Sequence, residues 1–221
     1  KRRFFSLLSG HKQGVDSLHR CVKACAERGV SALTVFAFSS ENWSRPPEEV
    51  SGLMELLARA IGREVPQLAR DGIRVRFVGD RASLSVQLRA GLEQAESETA
   101  HCQLMLLNIC FNYGGRWDIA QAAAGLAVRG EAIPPESLDR AMALSHVRDP
   151  DLLIRTGGEM RLSNFLLWQA AYSELVFSDK LWPDFDEAAL DSAIAAYHAR
   201  ERRFGLISEQ LASESPVLAR A

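Results

Sequence analysis

The sequence predicts an α/β fold, an open and mostly parallel central sheet covered by helices on both faces. Three observations carry that expectation. Short apolar runs recur along the chain (ALTVFAF at 32–38, IRVRFV within 73–80, LMLLNICF from 104, LLI at 152–154), as strands buried on both faces require. Stretches with apolar residues at helical spacing separate them, which implies parallel strands joined by crossovers. Polar and glycine-bearing clusters follow the runs, at the ends where open parallel sheets bind ligands.

Length and composition bound the rest. A chain of 221 residues is expected to form one domain over 1–221, with a tail at 206–221 whose pattern is too weak to place. A net charge of −2 carries no nucleic-acid footprint. No apolar run approaches the roughly 20 residues of a transmembrane segment, and the apolar part of the basic opening KRRFFSLL is too short for a signal peptide. Cysteines at 21, 25, 102 and 110 match no common zinc spacing and read as reduced thiols of a cytoplasmic protein. No G-x-G-x-x-G follows a strand and no P-loop is present, so dinucleotide and nucleoside triphosphate binding have no support.

In chain order, Val15, Leu18, Val22, Cys25 and Ala26 mark an amphipathic helix that begins after Gly10 and ends at Gly29. His11 and Lys12 then fall in its first turn, where free amide hydrogens favour an anion; a plain surface histidine is the alternative. The strand at 32–38 runs into SSENWSRPPEE, in which Ser39, Ser40, Asn42 and Arg45 offer donors and Trp43 an apolar face. Read blandly, it is a polar loop before a helix, which Pro46, Pro47, Glu48 and Glu49 start. That helix carries Val50, Leu53, Met54, Leu57 and Ile61 on one stripe. Strand 73–80 is followed by a helix bearing Leu84, Leu88, Leu92 and Ala95. The run from 104 passes through Asn112, Gly114, Gly115 and Arg116 into a helix from about Trp117 to Val128. Past Pro134 and Pro135, one or two short helices lead to the strand at 152. The last helix is expected from Asp186 to about Arg203, with Leu190, Ile194 and Tyr197 inward.

The stretch from Asp151 to Asp184 concentrates the chemistry. Its strand delivers Arg155 into a loop holding Gly157, Gly158, Arg161, Ser163 and Asn164. Guanidinium forks, a hydroxyl and free amides suit a phosphate or diphosphate. Glu174, among apolar neighbours in AYSELVF, needs a partner there, and a divalent metal or an arginine would serve. A structural ion-pair network of Arg155, Arg161 and Glu174 is the other reading.

FSSENWSRP, NYGGRWDIAQA, DPDLLIRTGGEMRLSNFLLWQ and AYSELVFSDKLWPDF together resemble the cis-prenyltransferases, over about residues 10–205 and most closely their bacterial undecaprenyl diphosphate synthase branch. The resemblance implies condensation of isopentenyl diphosphate units onto an allylic diphosphate, farnesyl diphosphate in the usual case, with cis double bonds. The product would be a long-chain polyprenyl diphosphate, the undecaprenyl lipid carrier of peptidoglycan precursors. It also implies Mg2+, a homodimer, an apolar tunnel between sheet and helices for the growing chain, and peripheral membrane contact through the lipid product. By position, Arg155, Arg161 and Ser163 would hold the diphosphate of isopentenyl diphosphate, and Glu174 its magnesium. Ser39, Glu41, Asn42, Trp43 and Arg45 match a segment that orders over the substrates, with Asn42 aiding proton removal. Phe38 and Trp43 would meet the prenyl chain, and His11 would assist at the allylic diphosphate. Arg203 and Gly205 match an element that completes the neighbouring subunit's diphosphate site.

Two departures qualify the resemblance. The family's apolar strand running into M-D-G-N-G-R-W belongs just upstream of Lys1, in the middle of the sheet; the native protein is expected to carry it, and 221 residues without it are expected to show no turnover. Leu7 stands where an arginine is expected. A catalytically silent partner subunit is the alternative, and retention of Arg155, Arg161, Ser163, Asn42 and Glu174 favours the enzyme.

Overall fold

A computed structural model describes the backbone of residues 2–200 and the side chains of residues 13–200. Its organising strand is MLLNICFNY. Eight of the nine side chains in this segment are buried, Leu106 being half-buried, and only a strand with neighbours on both edges and layers on both faces achieves that. It is β3 (Met105–Tyr113), flanked in parallel by β1 (Ala32–Ser39) and β2 (Ile73–Val78) in the order β1-β3-β2. Helices α1 (Arg2–Glu27), α2 (Pro47–Arg70), α3 (Val86–Glu98), α4 (Gly115–Val128) and α5 (Pro135–Ala141) are threaded between and around them. A second parallel pair, β4 (Leu152–Thr156) and β5 (Glu174–Ser178), precedes α6 (Glu187–His198).

All strand pairs are parallel, as expected, but among the described residues the five strands form two groups and not one continuous sheet. Residues 32–38 of β1 and 152–156 of β4 all line one cavity of about 1400 Å³. Strands that present consecutive residues to a cavity meet it edge-on, because alternate side chains point to opposite faces. Val22 and Cys25 of α1 and Leu53, Leu57 and Ile61 of α2 close the apolar side of this space, and Ile194 and Tyr197 of α6 reach it from another. The stripes read from helical periodicity are therefore cavity wall as much as core.

Three boundaries differ from expectation. α1 continues upstream through Gly10, so the backbone at His11 and Lys12 lies inside the helix and not in its first turn. Its amides there are taken by carbonyls four residues back, and the anion-site reading of that position loses its basis. β5 was not anticipated, because ELVFS is short and opens on an acid. The last helix stops at His198, capped at its start by Asp186, whose carboxylate accepts from Ala189 N at 2.9 Å. All four cysteines are free and buried.

Candidate active site

The segment after β1 is built on itself before it touches anything else. Ser39 caps a 3-10 turn, Ser40–Ser44: its hydroxyl accepts from Glu41 N at 3.2 Å, and its own N–H donates to Asn42 Oδ1 at 3.0 Å. These are the reciprocal bonds of a capping box, which the S-x-x-N spacing permits. Glu41 collects donors. The hydroxyl of Ser39 bonds it, that of Ser40 reaches it at 3.3 Å and Asn164 Nδ2 at 2.5 Å. The Ser39 hydroxyl is the main reason its carboxyl is held below the usual carboxylate range. Trp43 stands edge-on to the buried Phe38 ring at 5.3 Å, and Phe38 meets Phe111 at 5.2 Å. The segment's apolar side thus rests on the core while its polar side faces outward.

Two more strand ends converge on it. Asn112 closes β3 with φ +52, a left-handed backbone that Asn accepts more readily than most residues. It receives the Trp43 indole at 2.7 Å and donates to Asp80 O at 2.7 Å and Ser83 at 2.9 Å. Gly114 and Gly115 follow. A Cβ at Gly114 would lie 2.6 Å from both Asn164 Nδ2 and Ser40 Oγ, and one at Gly115 2.9 Å from the Leu167 nitrogen. Glycine is needed here because three chain segments touch at this point.

β4 supplies the cations. Arg155 and Arg161 line the cavity with Phe38. The Nε of Arg155 is buried with no hydrogen-bond partner, an arrangement whose cost a bound acceptor would relieve. Among the described residues Arg161 pairs with the exposed Glu159 carboxylate. Ser163 and Asn164 follow with φ +51 and +62, and the turn at Gly157 and Gly158 is fastened to β5 by amides donating to Lys180 O and Ser178 O. Arg155, Arg161 and Glu174 do not bond one another, so the structural ion-pair network is not formed.

Other expected members lie apart. Glu174 opens β5 opposite Leu152, whereas the arginine loop leaves β4 past Thr156, opposite Ser178; the two are one strand length apart, about 13 Å at 3.3 Å per residue. Its carboxylate is bonded by Arg200 at 2.7 Å. Among the described residues no group of three or more His, Cys, Asp or Glu side chains could hold a metal; a magnesium ion bound through a substrate diphosphate needs only one or two carboxylates from the protein. Arg45 turns back to Glu49 of α2 at 2.7 Å. The side chain of His11, and Arg203 and Gly205, lie outside the described residues.

Sequence reasoning missed the support beneath the site. Asp118 is fully buried and accepts from Gln121 and Ala143 N on one oxygen and from Tyr113 and Gln169 on the other, at 2.8–3.1 Å. It ties β3, α4, the segment after α5 and the segment after β4 into one piece. An acid in a helix's first turn looks like an ordinary exposed one, so nothing in the sequence separates the two cases.

Compared with known proteins, residues 1–205 match the prenyltransferase family described as undecaprenyl diphosphate synthase. An isoprenyl transferase of Neisseria gonorrhoeae is 51% identical, the alignment covering 96% of this chain and 86% of that protein. A ditrans,polycis-undecaprenyl-diphosphate synthase of Pseudomonas aeruginosa, specific for (2E,6E)-farnesyl diphosphate, is 50% identical over 97% of this chain and 88% of its own. The crystal structure of lavandulyl diphosphate synthase from Lavandula x intermedia, in complex with dimethylallyl diphosphate, superposes with a TM-score of 0.85 at 33% identity, covering 90% of this chain and 89% of that one. The fold, the convergent strand ends and these likenesses agree: the chain belongs to the undecaprenyl diphosphate synthase family of prenyltransferases.

Proposed function

We propose that this cis-prenyltransferase condenses isopentenyl diphosphate onto farnesyl diphosphate, with cis double bonds, to give undecaprenyl diphosphate. The observation that carries the reading is the shared cavity: Arg155, with its buried unpartnered Nε, and Arg161 stand with Phe38 on the wall of one large, mainly apolar space. A diphosphate has acceptors for both guanidinium groups, and a prenyl chain needs the dry wall. The C–O bond of the allylic diphosphate breaks and diphosphate leaves. The terminal alkene carbon of isopentenyl diphosphate bonds to the allylic carbon, positive charge develops on the neighbouring branched carbon, and a proton is lost from C2 to form the new cis double bond. Arg155, Arg161 and Ser163 hold the isopentenyl diphosphate, with negative charge stabilised where it sits.

Ser39, Glu41, Asn42 and Trp43 form the segment that covers the reacting ends, and Arg45 braces it through Glu49. Asn42 has no basic lone pair, so it orients the proton-losing group and the proton passes to a diphosphate oxygen. Glu174, engaged by Arg200, is left out of this grip, and magnesium is kept only as the substrates' counter-ion. Homodimer formation, a cytoplasmic setting and one domain belong to the same reading; among the described residues no helix is long and apolar enough to cross a membrane.

The test is incorporation of labelled isopentenyl diphosphate into butanol-extractable product by the full-length native protein with farnesyl diphosphate and magnesium. Arg155→Ala and Arg161→Ala are expected each to raise the KM for isopentenyl diphosphate at least about tenfold, the loss of one charged hydrogen-bond partner. Unchanged KM in both variants would remove the assignment.

A further inference from the structure

The arginine loop and the covering segment are separate in sequence, yet one side chain joins them. Asn164 donates from Nδ2 to Glu41 Oε1 at 2.5 Å and accepts from Arg116 N on Oδ1 at 2.9 Å. Its carbonyl accepts from Gly115 N at 2.7 Å. Both ends of the amide and the backbone are therefore used, on two segments: the 3-10 turn through Glu41 and the first turn of α4 through Gly115 and Arg116. The left-handed backbone at Ser163 and Asn164 turns the chain so that this reach is possible, and Gly114 leaves the space.

We infer that Asn164 is a positioning residue that latches the covering segment, through Glu41, to the loop bearing Arg161 and Ser163. Asn suits the post because it donates and accepts at once. Facing a carboxylate on one side and an amide N–H on the other, no hydroxyl or acid of that length satisfies both. Glu41 is ionised when so held, which makes the bond charge-assisted and stronger than a neutral one. With the latch closed, the segment bearing Asn42 and Trp43 is fixed relative to the loop that bears Arg161. Substrate held by one loop is then presented to the other at a set distance, the kind of positioning on which condensation rates depend. The inference rests on the proposed function for its catalytic meaning, although the mechanical link stands on the hydrogen bonds alone.

The test exchanges donor and acceptor. Asn164→Asp keeps the acceptor for Arg116 N at a helix N-terminus, where an anion is favoured, but opposes one carboxylate to another at Glu41. Adding Glu41→Gln returns a donor to the pair from the other side. Amide hydrogen exchange of residues 39–45 in the full chain reads the latch without any turnover. It should quicken about tenfold or more in Asn164→Asp and in Asn164→Gly, which keeps the left-handed backbone, while exchange in β3 stays unchanged. The double variant should return it to within about threefold of the parent, as expected when coupled residues are paired again. Segment exchange unchanged in both single variants, or raised equally in Asn164→Asp and the double variant, would overturn the latch. In kinetics, the latch predicts a loss in kcat that Glu41→Gln partly rescues in the Asn164→Asp background. A full-length native protein that exchanges as described but never extends farnesyl diphosphate would sink the proposed function and leave the latch standing.

Discussion

The indole Nε1 of Trp43 donates to Oδ1 of Asn112 at 2.7 Å across 69 residues of sequence. The bond pins the covering segment to the C-terminal end of the central strand, and the same Asn112 amide donates to Asp80 O and Ser83 after β2. One left-handed residue thus organises three strand-end segments.

Asn112→Ala is expected to lose those bonds and to pay the left-handed penalty of a Cβ residue, together about 2–4 kcal/mol. Asn112→Gly keeps the backbone and loses only the side chain, so it should fall by about 1–2 kcal/mol less. Urea denaturation of the three proteins checks the order, and an alanine variant as stable as the glycine one would show that the φ of +52 costs nothing.

Asp118 is expected to be the most costly single polar side chain to remove. Its carboxylate accepts four hydrogen bonds in full burial, so Asp118→Ala strands several donors and should cost about 3–5 kcal/mol. Asp118→Asn keeps the volume but sets an NH2 against donors, for a cost of about 1–3 kcal/mol. Equilibrium denaturation measures both; a loss under about 1 kcal/mol for the alanine variant would mean that the network carries little.

Gly79→Ala should destabilise more than any other glycine substitution between 79 and 130. Its φ is +144, and a Cβ there would meet the Phe111 carbonyl oxygen at 2.0 Å, a clash with central-strand backbone that side-chain motion cannot relieve. We expect a cost above about 3 kcal/mol. Gly62→Ala is the control: nothing lies within 4 Å of the new atom inside α2, and helix propensity predicts a gain of about 0.5–1 kcal/mol. Thermal melts of both variants decide it.

His146 should titrate below the ordinary histidine range. Burial lowers its pKa first, and the charges of Arg76 and Arg74 add to that, against a smaller opposing effect from the Ala143 backbone and Glu96. The neutral ring meets the buried Asn108 Oδ1 at 2.9 Å, and Asn108 donates on to Thr34 at 3.3 Å. Because the folded-state value lies below the unfolded one, the stabilisation is complete above about pH 6.5 and is lost as pH falls through the lowered value. Proton NMR of the ring gives the midpoint, and His146→Gln should flatten the acid limb of the stability profile between those two values. A midpoint above 6.5 would contradict the assignment.

Much of the fold was legible because burial leaves a periodic trace. A strand covered on both faces has to be apolar throughout, and MLLNICF is; a helix on a sheet has to carry a stripe, and Leu88, Leu92 and Ala95 do, all buried. β5 left little trace, being five residues long and starting with a charge. The start of α1 was hidden by Gly10, which weakens a helix locally without having to end it.

For the site, the residue types alone set the expectation: Arg155, Arg161, Ser163 and Asn42 at strand ends suit an oxyanion, and the four long motifs point to the family that the comparisons show. Tertiary structure decided which of them meet. Whether Glu174 pairs with a metal or with Arg200, and whether Arg45 faces the cavity or Glu49, depends on through-space distances of a few ångströms between segments far apart in sequence. The division has a plain cause: periodic burial is a property of one segment, whereas a hydrogen bond such as Asn164 to Glu41 exists only after two segments have been packed together.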